Sequence, residues 1–244
     1  MLSVKDLTIT LEDQTIVHGF HLSVKPGEVH VIMGPNGSGK STLAHTLAGH
    51  PHYQVSSGSI KLNRHELVDT PPNERAVAGL FLAFQYPVAI EGISVQNFLR
   101  TAHHEHFPQD TTTVLEFRHH LQQVARTLGI KDSLLKRSLN DGFSGGEKKR
   151  VEILQMLTLQ PKYAIFDETD SGLDIDSIKL AAKGINQAVT DFRTGVIIIT
   201  HYQRILKYVK PTHVHVMISG HLVKSGGPNL AKELEKSGYK NLTN

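Results

Sequence analysis

The stretch GPNGSGKS, from Gly34 to Ser41, decides the fold, because it matches the phosphate-binding pattern G-x-x-x-x-G-K-[ST] at every fixed position. The glycines let successive backbone N–H groups turn inward and form a concavity that binds anions. Lys40 brings a positive charge to the β- and γ-phosphates of a nucleotide, and Ser41 is able to ligate Mg²⁺ through its hydroxyl. The motif therefore predicts a binding site for a nucleoside triphosphate.

The residues that flank this motif have the order of strand, loop and helix that a phosphate-binding loop requires. Glu28–Met33 predicts a buried strand, and Ser41–Gly49 predicts a helix whose N-terminus faces the phosphates. We expect an α/β fold of the P-loop NTPase class. The predicted phosphate-binding residues are Gly34, Pro35, Asn36, Gly37, Ser38, Gly39, Lys40, Ser41 and Thr42.

The composition is that of a globular protein with one substantial core in 244 residues. The formal net charge is +3 with both signs spread along the chain, so nucleic-acid binding has no support. The absence of cysteine excludes disulfides and Cys-ligated clusters within this chain. No apolar run approaches the roughly 20 residues of a membrane span, and the first residues alternate like a strand rather than a signal peptide. We expect a cytoplasmic protein without membrane insertion.

Sixteen histidines are many for this length, and several of them cluster in the middle of the chain. His103, His104, His106, His119 and His120 show no complete metal-ligand spacing. The sequence therefore assigns them no role.

The hydrophobic pattern divides the chain into two kinds of structure. Residues 1–85 and 161–244 alternate or run apolar like strands, and Tyr163–Asp167 and Gly195–Thr200 predict central strands covered on both faces. Residues 86–160 show helical periodicity and predict an inserted helical subdomain. Further predicted strands are Leu2–Leu11, Thr15–Val24, Gly58–Leu62, Gly79–Phe84, His213–Ile218 and His221–Lys224; further predicted helices are Asn73–Ala78, Glu147–Leu159, Ile175–Val189 and Asn229–Glu235.

Candidate catalytic residues follow three predicted strands directly. Asp167 and Glu168 end one strand, where Asp167 is expected in the Mg²⁺ shell and Glu168 is placed to polarise the water that attacks the γ-phosphate. His201 follows another strand at the sheet edge where open α/β folds bind ligands, and is expected to donate to the γ-phosphate. Gln85 follows a third strand and is expected to contact Mg²⁺ or the attacking water.

The segment FSGGEKKR, from Phe143 to Arg150, resembles the LSGGQ signature of ABC-type ATPases and opens a predicted helix. Ser144 and the N–H groups of Gly145 and Gly146 would form a second anion site at that helix N-terminus. By itself, the same segment also fits an ordinary helix-capping turn.

Together the motifs occur in the order and spacing of an ABC nucleotide-binding domain, which the whole chain, 1–244, resembles. The resemblance implies a RecA-like core, an antiparallel β subdomain and an inserted helical subdomain, with ATP and Mg²⁺ as ligands. It also implies that two copies pack head to tail, so that each ATP lies between the phosphate loop of one copy and the signature of the other. The SGLD loop, Ser171–Asp174, would cross that interface.

One region departs from the family pattern. ABC domains place an aromatic residue before the phosphate loop to stack on adenine, whereas Thr8–Thr15 contains no aromatic residue. Aliphatic contacts such as Leu11 and Val17 are the expected replacement.

Within the family, the chain is most similar to ATPases of the SUF iron–sulfur assembly system, the SufC type. The similarity is carried by AFQYPVAIEGISVQNFL after the phosphate loop, by FSGGEKKR, by FDETDSGLDID and by ITHYQRIL. It implies two β-helical scaffold partners, of the SufB and SufD types, that ATP-driven dimerisation would move. The alternative is the nucleotide-binding subunit of a membrane importer, which would share these catalytic residues and differ in what docks around Gln85–Leu99. A ribosome-associated or regulatory ABC protein would usually fuse two such domains.

Overall fold

The computed structural model describes residues 1–169, 172–201 and 204–239. Its strands are β1 Leu2–Leu11, β2 Gln14–Val24, β3 Val29–Met33, β4 Gln54–Leu62, β5 His65–Glu66, β6 Leu80–Ala83, β7 Ile90–Ser94, β8 Ser138–Leu139, β9 Tyr163–Asp167, β10 Gly195–Ile199, β11 His213–Ile218 and β12 His221–Gly226. Its α-helices are α1 Lys40–Ala48, α2 Pro72–Ala78, α3 Val95–His106, α4 Val114–Thr127, α5 Asp132–Leu135, α6 Gly145–Leu159, α7 Ile175–Asp191 and α8 Asn229–Ser237, and Ile205–Lys207 is a short 3-10 helix.

A six-stranded sheet in the order β12-β11-β3-β10-β9-β6 forms the centre of the fold. The five strands from β11 to β6 are parallel, and β12 pairs antiparallel with β11 at one edge. Every residue of β3, β9 and β10 is buried, as expected for parallel strands covered on both faces. Because the carboxyl ends of parallel strands meet at one edge, the segments after β3, β6, β9 and β10 are brought together there.

Two hydrophobic clusters cover the two faces of this sheet. On one face, Ile32 and Ile197 pack with the four-stranded antiparallel sheet β2-β1-β4-β5 and with α1. On the other face, Val31 and Ile198 pack with α6 and α7, among other elements. Neighbouring residues of one strand lie in different clusters because successive side chains of a strand point to opposite faces.

The segment predicted to be helical contains α3, α4, α5 and α6, together with one feature that the periodicity did not indicate. β7 and β8 form a two-stranded antiparallel sheet, in which Ile90 pairs with Leu139. β7 has no buried residue, so it lacks the alternation that predicts a strand, and β8 is only two residues long. The two strands are therefore an addition to the predicted helical segment.

Most predicted boundaries agree with the structure within two residues, and β1, β9 and β11 have the predicted bounds. β4 is the exception, since it begins at Gln54 rather than at Gly58. Gly58 has φ 96 and lies at an irregularity of the β1–β4 pairing, where a Cβ would lie 2.5 Å from the carbonyl oxygen of Asp6. The glycine therefore marks a bulge inside the strand rather than its start. Among the described residues, no helix combines the length and the apolar character that crossing a membrane requires.

Candidate active site

The phosphate-binding loop connects β3 to α1, in the order that the motif predicts. Gly37 and Gly39 have φ 77 and φ 91, in the left-handed region that favours glycine. Gly34 is required for a different reason, because a Cβ at this position would lie 2.0 Å from the carbonyl oxygen of Met217. The glycines are therefore dictated by the backbone path and by the close approach of β11.

Lys40 is the first residue of α1, and its side chain is directed back over the loop. The ammonium Nζ donates to the carbonyl oxygens of Gly34, at 3.0 Å, and of Pro35, at 2.9 Å. Burial lowers the pKa of Lys40 overall, and the nearby carboxylates of Glu168 and Asp167 offset only part of this effect. The loop thus positions a buried amine where it faces both carboxylates that follow β9.

Ser41 and Asp167 are brought together as the sequence predicts. Ser41 Oγ donates to Asp167 Oδ1 at 3.0 Å, while Asp167 itself is 1% exposed. Burial raises the pKa of Asp167 overall, and the hydrogen bond from Ser41 offsets part of this rise. Asp167 Oδ2 is buried and has no hydrogen-bond partner in the described part of the chain, with His45 Nε2 at 3.7 Å. An unsatisfied carboxylate oxygen beside a hydroxyl fits Mg²⁺, which prefers such hard oxygen ligands.

The side chains that follow β6, β9 and β10 converge at Glu168. Gln85 Nε2 donates to Glu168 Oε2 at 2.9 Å, and His201 Nδ1 lies 3.2 Å from Glu168 Oε1. The backbone of Glu168 has φ 45, a left-handed conformation that costs a non-glycine residue on the order of 1–3 kcal/mol. Its N–H donates to the carbonyl oxygen of Ile199 at 2.9 Å, which fixes this conformation. The carboxylate is thus held at both oxygens at the carboxyl edge of the sheet.

Two further residues position Gln85, and neither was a predicted site residue. Lys149 and Glu152 form a buried ion pair on α6, with Nζ 3.0 Å from Oε2. Glu152 Oε1 accepts from the backbone N–H of Phe84 at 2.8 Å, and Lys149 Nζ donates to the backbone carbonyl of the same residue. Burial raises the pKa of Glu152 to about 7, although Lys149 lowers it. The pair fixes the peptide groups next to Gln85 and so connects the signature helix to the end of β6.

A signal for this pair was present in the helical spacing. Lys149, Glu152 and Met156 recur at intervals of three and four residues, which places them on one face of α6, and all three are buried. The charged character of two of them favoured an exposed face instead.

Ser144 caps α6, and its own helix supplies its partners. The hydroxyl accepts from the N–H of Glu147 at 3.3 Å, and the Glu147 carboxylate accepts from both the N–H and the hydroxyl of Ser144 at 2.9 Å. This reciprocal arrangement is a capping box. The two hydrogen bonds that the Glu147 carboxylate accepts from Ser144 lower the pKa of Glu147. A Cβ at Gly145 would have no atom within 4 Å, so the first turn is open to an approaching group.

The structure describes the SGLD loop only in part, and it separates the two aliphatic residues expected near the base. Ser171, the first residue of the SGLD loop, lies outside the described residues, whereas Asp174 caps α7 by accepting from the N–H of Ser177 at 2.7 Å. Val17 is fully buried and packs beneath Gly39, so of the two aliphatic residues expected near the base only Leu11 presents its side chain to solvent.

The fold and this site define a nucleotide-binding protein of the P-loop class. The sequence model of the ABC transporter family matches residues 17–171. The chain belongs to this family and is an ATPase of the ABC type.

Comparison with known proteins gives relatives over the full length. The chain is 50% identical over 246 residues to the probable ATP-dependent transporter SufC of Escherichia coli strain K12, covering 100% of this chain and 99% of the relative. It is 47% identical over 239 residues to vegetative protein 296 of Bacillus subtilis strain 168, covering 98% and 91%. Among solved structures, the dimeric ABC transporter cassette MJ0796 superposes with a TM-score of 0.80 at 18% identity, covering 93% of this chain and 98% of that chain. An ATP-binding subunit of an ABC transporter gives 0.81 at 23% identity, covering 100% of both chains. These structures share the fold of this chain.

Proposed function

We propose that this chain is the ATP-hydrolysing subunit of a SUF iron–sulfur cluster assembly machinery, acting in the cytoplasm. The observation that carries the proposal is the 50% identity, over the whole chain, to a relative named SufC. The absence of cysteine agrees with it, since an ATPase that moves a scaffold needs no cluster ligands of its own.

In this proposal the convergence on Glu168 performs the chemistry. Residues 34–42 bind the triphosphate, with the Lys40 ammonium paired to its β- and γ-phosphates. The Glu168 carboxylate orients the attacking water and accepts its proton, while Gln85 and His201 hold the carboxylate. In phosphoryl transfer, positioning of the reacting groups provides most of the catalysis. The strained backbone of Glu168 would therefore serve to hold its carboxylate in the position that hydrolysis requires.

Ser41 and Asp167 are the residues that would hold Mg²⁺, together with Gln85. The Gln85 amide donates through Nε2, so its carbonyl oxygen is the atom suited to a metal. When bound, Mg²⁺ neutralises charge on the phosphate oxygens. The unsatisfied Oδ2 of Asp167 is the observation that supports this assignment.

The signature residues Ser144, Gly145 and Gly146 would act on the nucleotide of a second copy in a head-to-tail dimer. The side chain of Ser144 hydrogen-bonds to Glu147 of its own helix, and the open side at Gly145 leaves room for a phosphate. The related cassette MJ0796 is described as dimeric, and also in a post-hydrolysis dimeric state with ADP and phosphate. ATP that binds the closed pair more tightly than the separated chains would drive association, and hydrolysis would reverse it.

Five exposed apolar side chains that lie close together in the sequence, here called the apolar surface, support a docking site for a partner. Phe84, Tyr86, Val88, Ile90 and Ile93 are large hydrophobic residues within ten positions, with exposed fractions from 39% to 80%. Exposed apolar patches of this kind mark protein interaction sites. The segment begins directly at the Lys149–Glu152 pair, so a scaffold bound here would be linked to Gln85. We assign residues 86–160 to a helical subdomain, which carries all of this surface except Phe84, and residues 1–85 and 161–244 to the nucleotide-binding core.

The test is to isolate the tagged chain from its own cells under gentle, anaerobic conditions and to identify the co-purifying proteins by mass spectrometry in soluble and membrane fractions. Two soluble scaffold proteins of the SufB and SufD types, with iron or sulfide, are expected. An integral membrane permease instead would make the chain an importer subunit and would refute the assembly role.

A double variant, Tyr86→Ala with Val88→Ala, localises the interaction. It removes the two most exposed side chains of the apolar surface and should lose both partners. Leu115→Ala is the matched control, because Leu115 is an apolar residue of α4 that is 67% exposed. Retention of the partners by the double variant would contradict the docking surface while leaving the assembly role standing.

A further inference from the structure

Three metal-ligating side chains meet at the amino ends of β3 and β11, at the end of the sheet opposite the phosphate-binding loop. Glu28 directly precedes β3, His30 is its second residue, and His213 is the first residue of β11. His30 and His213 are register partners in the parallel pair of strands. Since residues two apart on a strand point to the same face, the backbone itself places Glu28 and His30 beside His213.

The ligand atoms of these three residues all lie within 4.8 Å of one another. His30 Nε2 is 3.1 Å from Glu28 Oε2, and the rings of His30 and His213 are stacked with centroids 4.4 Å apart. The His30 side chain is 3% exposed and that of Glu28 is 21% exposed, whereas His213 is exposed. The group thus has a fixed, buried centre and an open side through which an ion can enter.

A second layer of hydrogen bonds orients the two imidazoles. His30 Nδ1 is 3.0 Å from His215 Nε2, and His215 Nδ1 is 2.8 Å from Ser225 Oγ. His213 Nδ1 is 3.0 Å from Thr212 Oγ1. In both His30 and His213, therefore, Nδ1 has a partner outside the group of three, whereas Nε2 of His30 faces Glu28 Oε2 within the group and would release its proton when an ion binds. Metal-binding histidines characteristically use their second ring nitrogen in this way.

We propose that Glu28, His30 and His213 bind a divalent transition metal ion of the zinc class, at a site separate from the nucleotide. Two imidazoles and one carboxylate form a ligand set that Zn²⁺ accepts, whereas Mg²⁺ prefers oxygen ligands. A bound ion would link His213, at the start of β11, to Glu28 and His30 at the start of β3. By contrast, the histidines around His103 lie closer together in the sequence, but within the described residues they form no group of three metal-ligating side chains.

The test is calorimetric titration of the untagged, chelator-treated chain with Zn²⁺ at pH 7, in excess Mg²⁺ so that the oxygen ligands beside the phosphate loop do not take up Zn²⁺. One site is expected, and His213→Ala or Glu28→Gln should weaken its affinity by at least about tenfold, the scale on which even outer-shell changes act. His104→Ala is the matched control, since its side chain is 72% exposed on α3.

Two readouts separate ligation from folding. Co²⁺ used in place of Zn²⁺ should give visible absorption bands in the wild type and in His104→Ala, and should lose them in His213→Ala. The basal ATPase activity of metal-free His213→Ala should equal that of the wild type, because His213 is exposed and lies away from the active site. Absence of Zn²⁺ binding by the wild type, or equal affinity in His213→Ala, Glu28→Gln and the wild type, would overturn the proposal without affecting the assigned ATPase.

Discussion

The ion pair on α6 predicts an unusual pH dependence of stability, which Glu152→Gln should abolish. Burial raises the pKa of Glu152 from 4.5 to about 7, so the folded chain retains a proton that the unfolded chain has already released. Between these values the folded state binds more protons, and the free energy of unfolding therefore falls as pH rises. The contribution is fully present below pH 4.5 and is lost as pH rises through 7. At about 1.4 kcal/mol for each pKa unit, the loss between pH 5 and pH 8 is on the order of 2–3 kcal/mol.

The assay is urea denaturation of the wild type and of Glu152→Gln at several pH values from 5 to 8. Glutamine does not titrate, so the variant should gain on the order of 2–3 kcal/mol relative to the wild type across this range, on top of a constant offset from the altered contact with Lys149. Glu235→Gln makes the same charge change at an exposed position and controls for net charge. If the curves of Glu152→Gln and the wild type stay parallel, Glu152 does not titrate in this window and the reasoning fails.

Four further substitutions test the site itself. Lys40→Ala removes the buried ammonium and should weaken ATP binding by at least about tenfold in calorimetry; unchanged affinity would overturn the phosphate-loop assignment. Glu168→Gln should slow hydrolysis by at least about 100-fold and accumulate an ATP-bound dimer in size-exclusion chromatography, whereas wild-type turnover would exclude Glu168 as the base. Gly34→Ala places a Cβ 2.0 Å from the carbonyl oxygen of Met217, so it should lower stability by at least about 1 kcal/mol and impair ATP binding, and a wild-type melting curve would contradict the contact. Ser144→Ala removes the α6 cap and should cost about 1 kcal/mol of unfolding free energy, with no change expected in ATP affinity of the separated chain.

The parts of the site that could be predicted from the sequence are those attached to strand ends. Gln85, Glu168 and His201 each follow an apolar run, and a parallel sheet brings such ends to one edge whatever the intervening chain does. In the structure, Gln85 and His201 both contact Glu168, whereas their expected roles toward Mg²⁺, water and the γ-phosphate stay predictions. Their convergence follows from the fold class once the strands have been recognised.

The parts that could not be predicted depend on contacts between segments that carry no shared pattern. Lys149 and Glu152 meet Phe84 across more than 60 positions of chain, and two charged residues by themselves indicate an exposed helix face. Glu28, His30 and His213 come together only through the register of β3 and β11. In both cases part of the group comes from a segment that is distant in the sequence, and a local pattern contains no information about that segment.

One helix links both halves of the proposed catalytic unit. α6 carries Ser144 at its N-terminus, and Lys149 and Glu152 lie within about 12 Å of it along the axis at 1.5 Å per residue. Because that ion pair fixes the backbone of Phe84, a displacement of the signature toward the nucleotide of a second copy is a displacement of the support of Gln85. Gln85 in turn holds Glu168. In the proposed dimer, association of two chains would be connected to the placement of the proposed catalytic carboxylate through three consecutive contacts, and the exposed apolar surface that begins at Phe84 lies beside the same contacts.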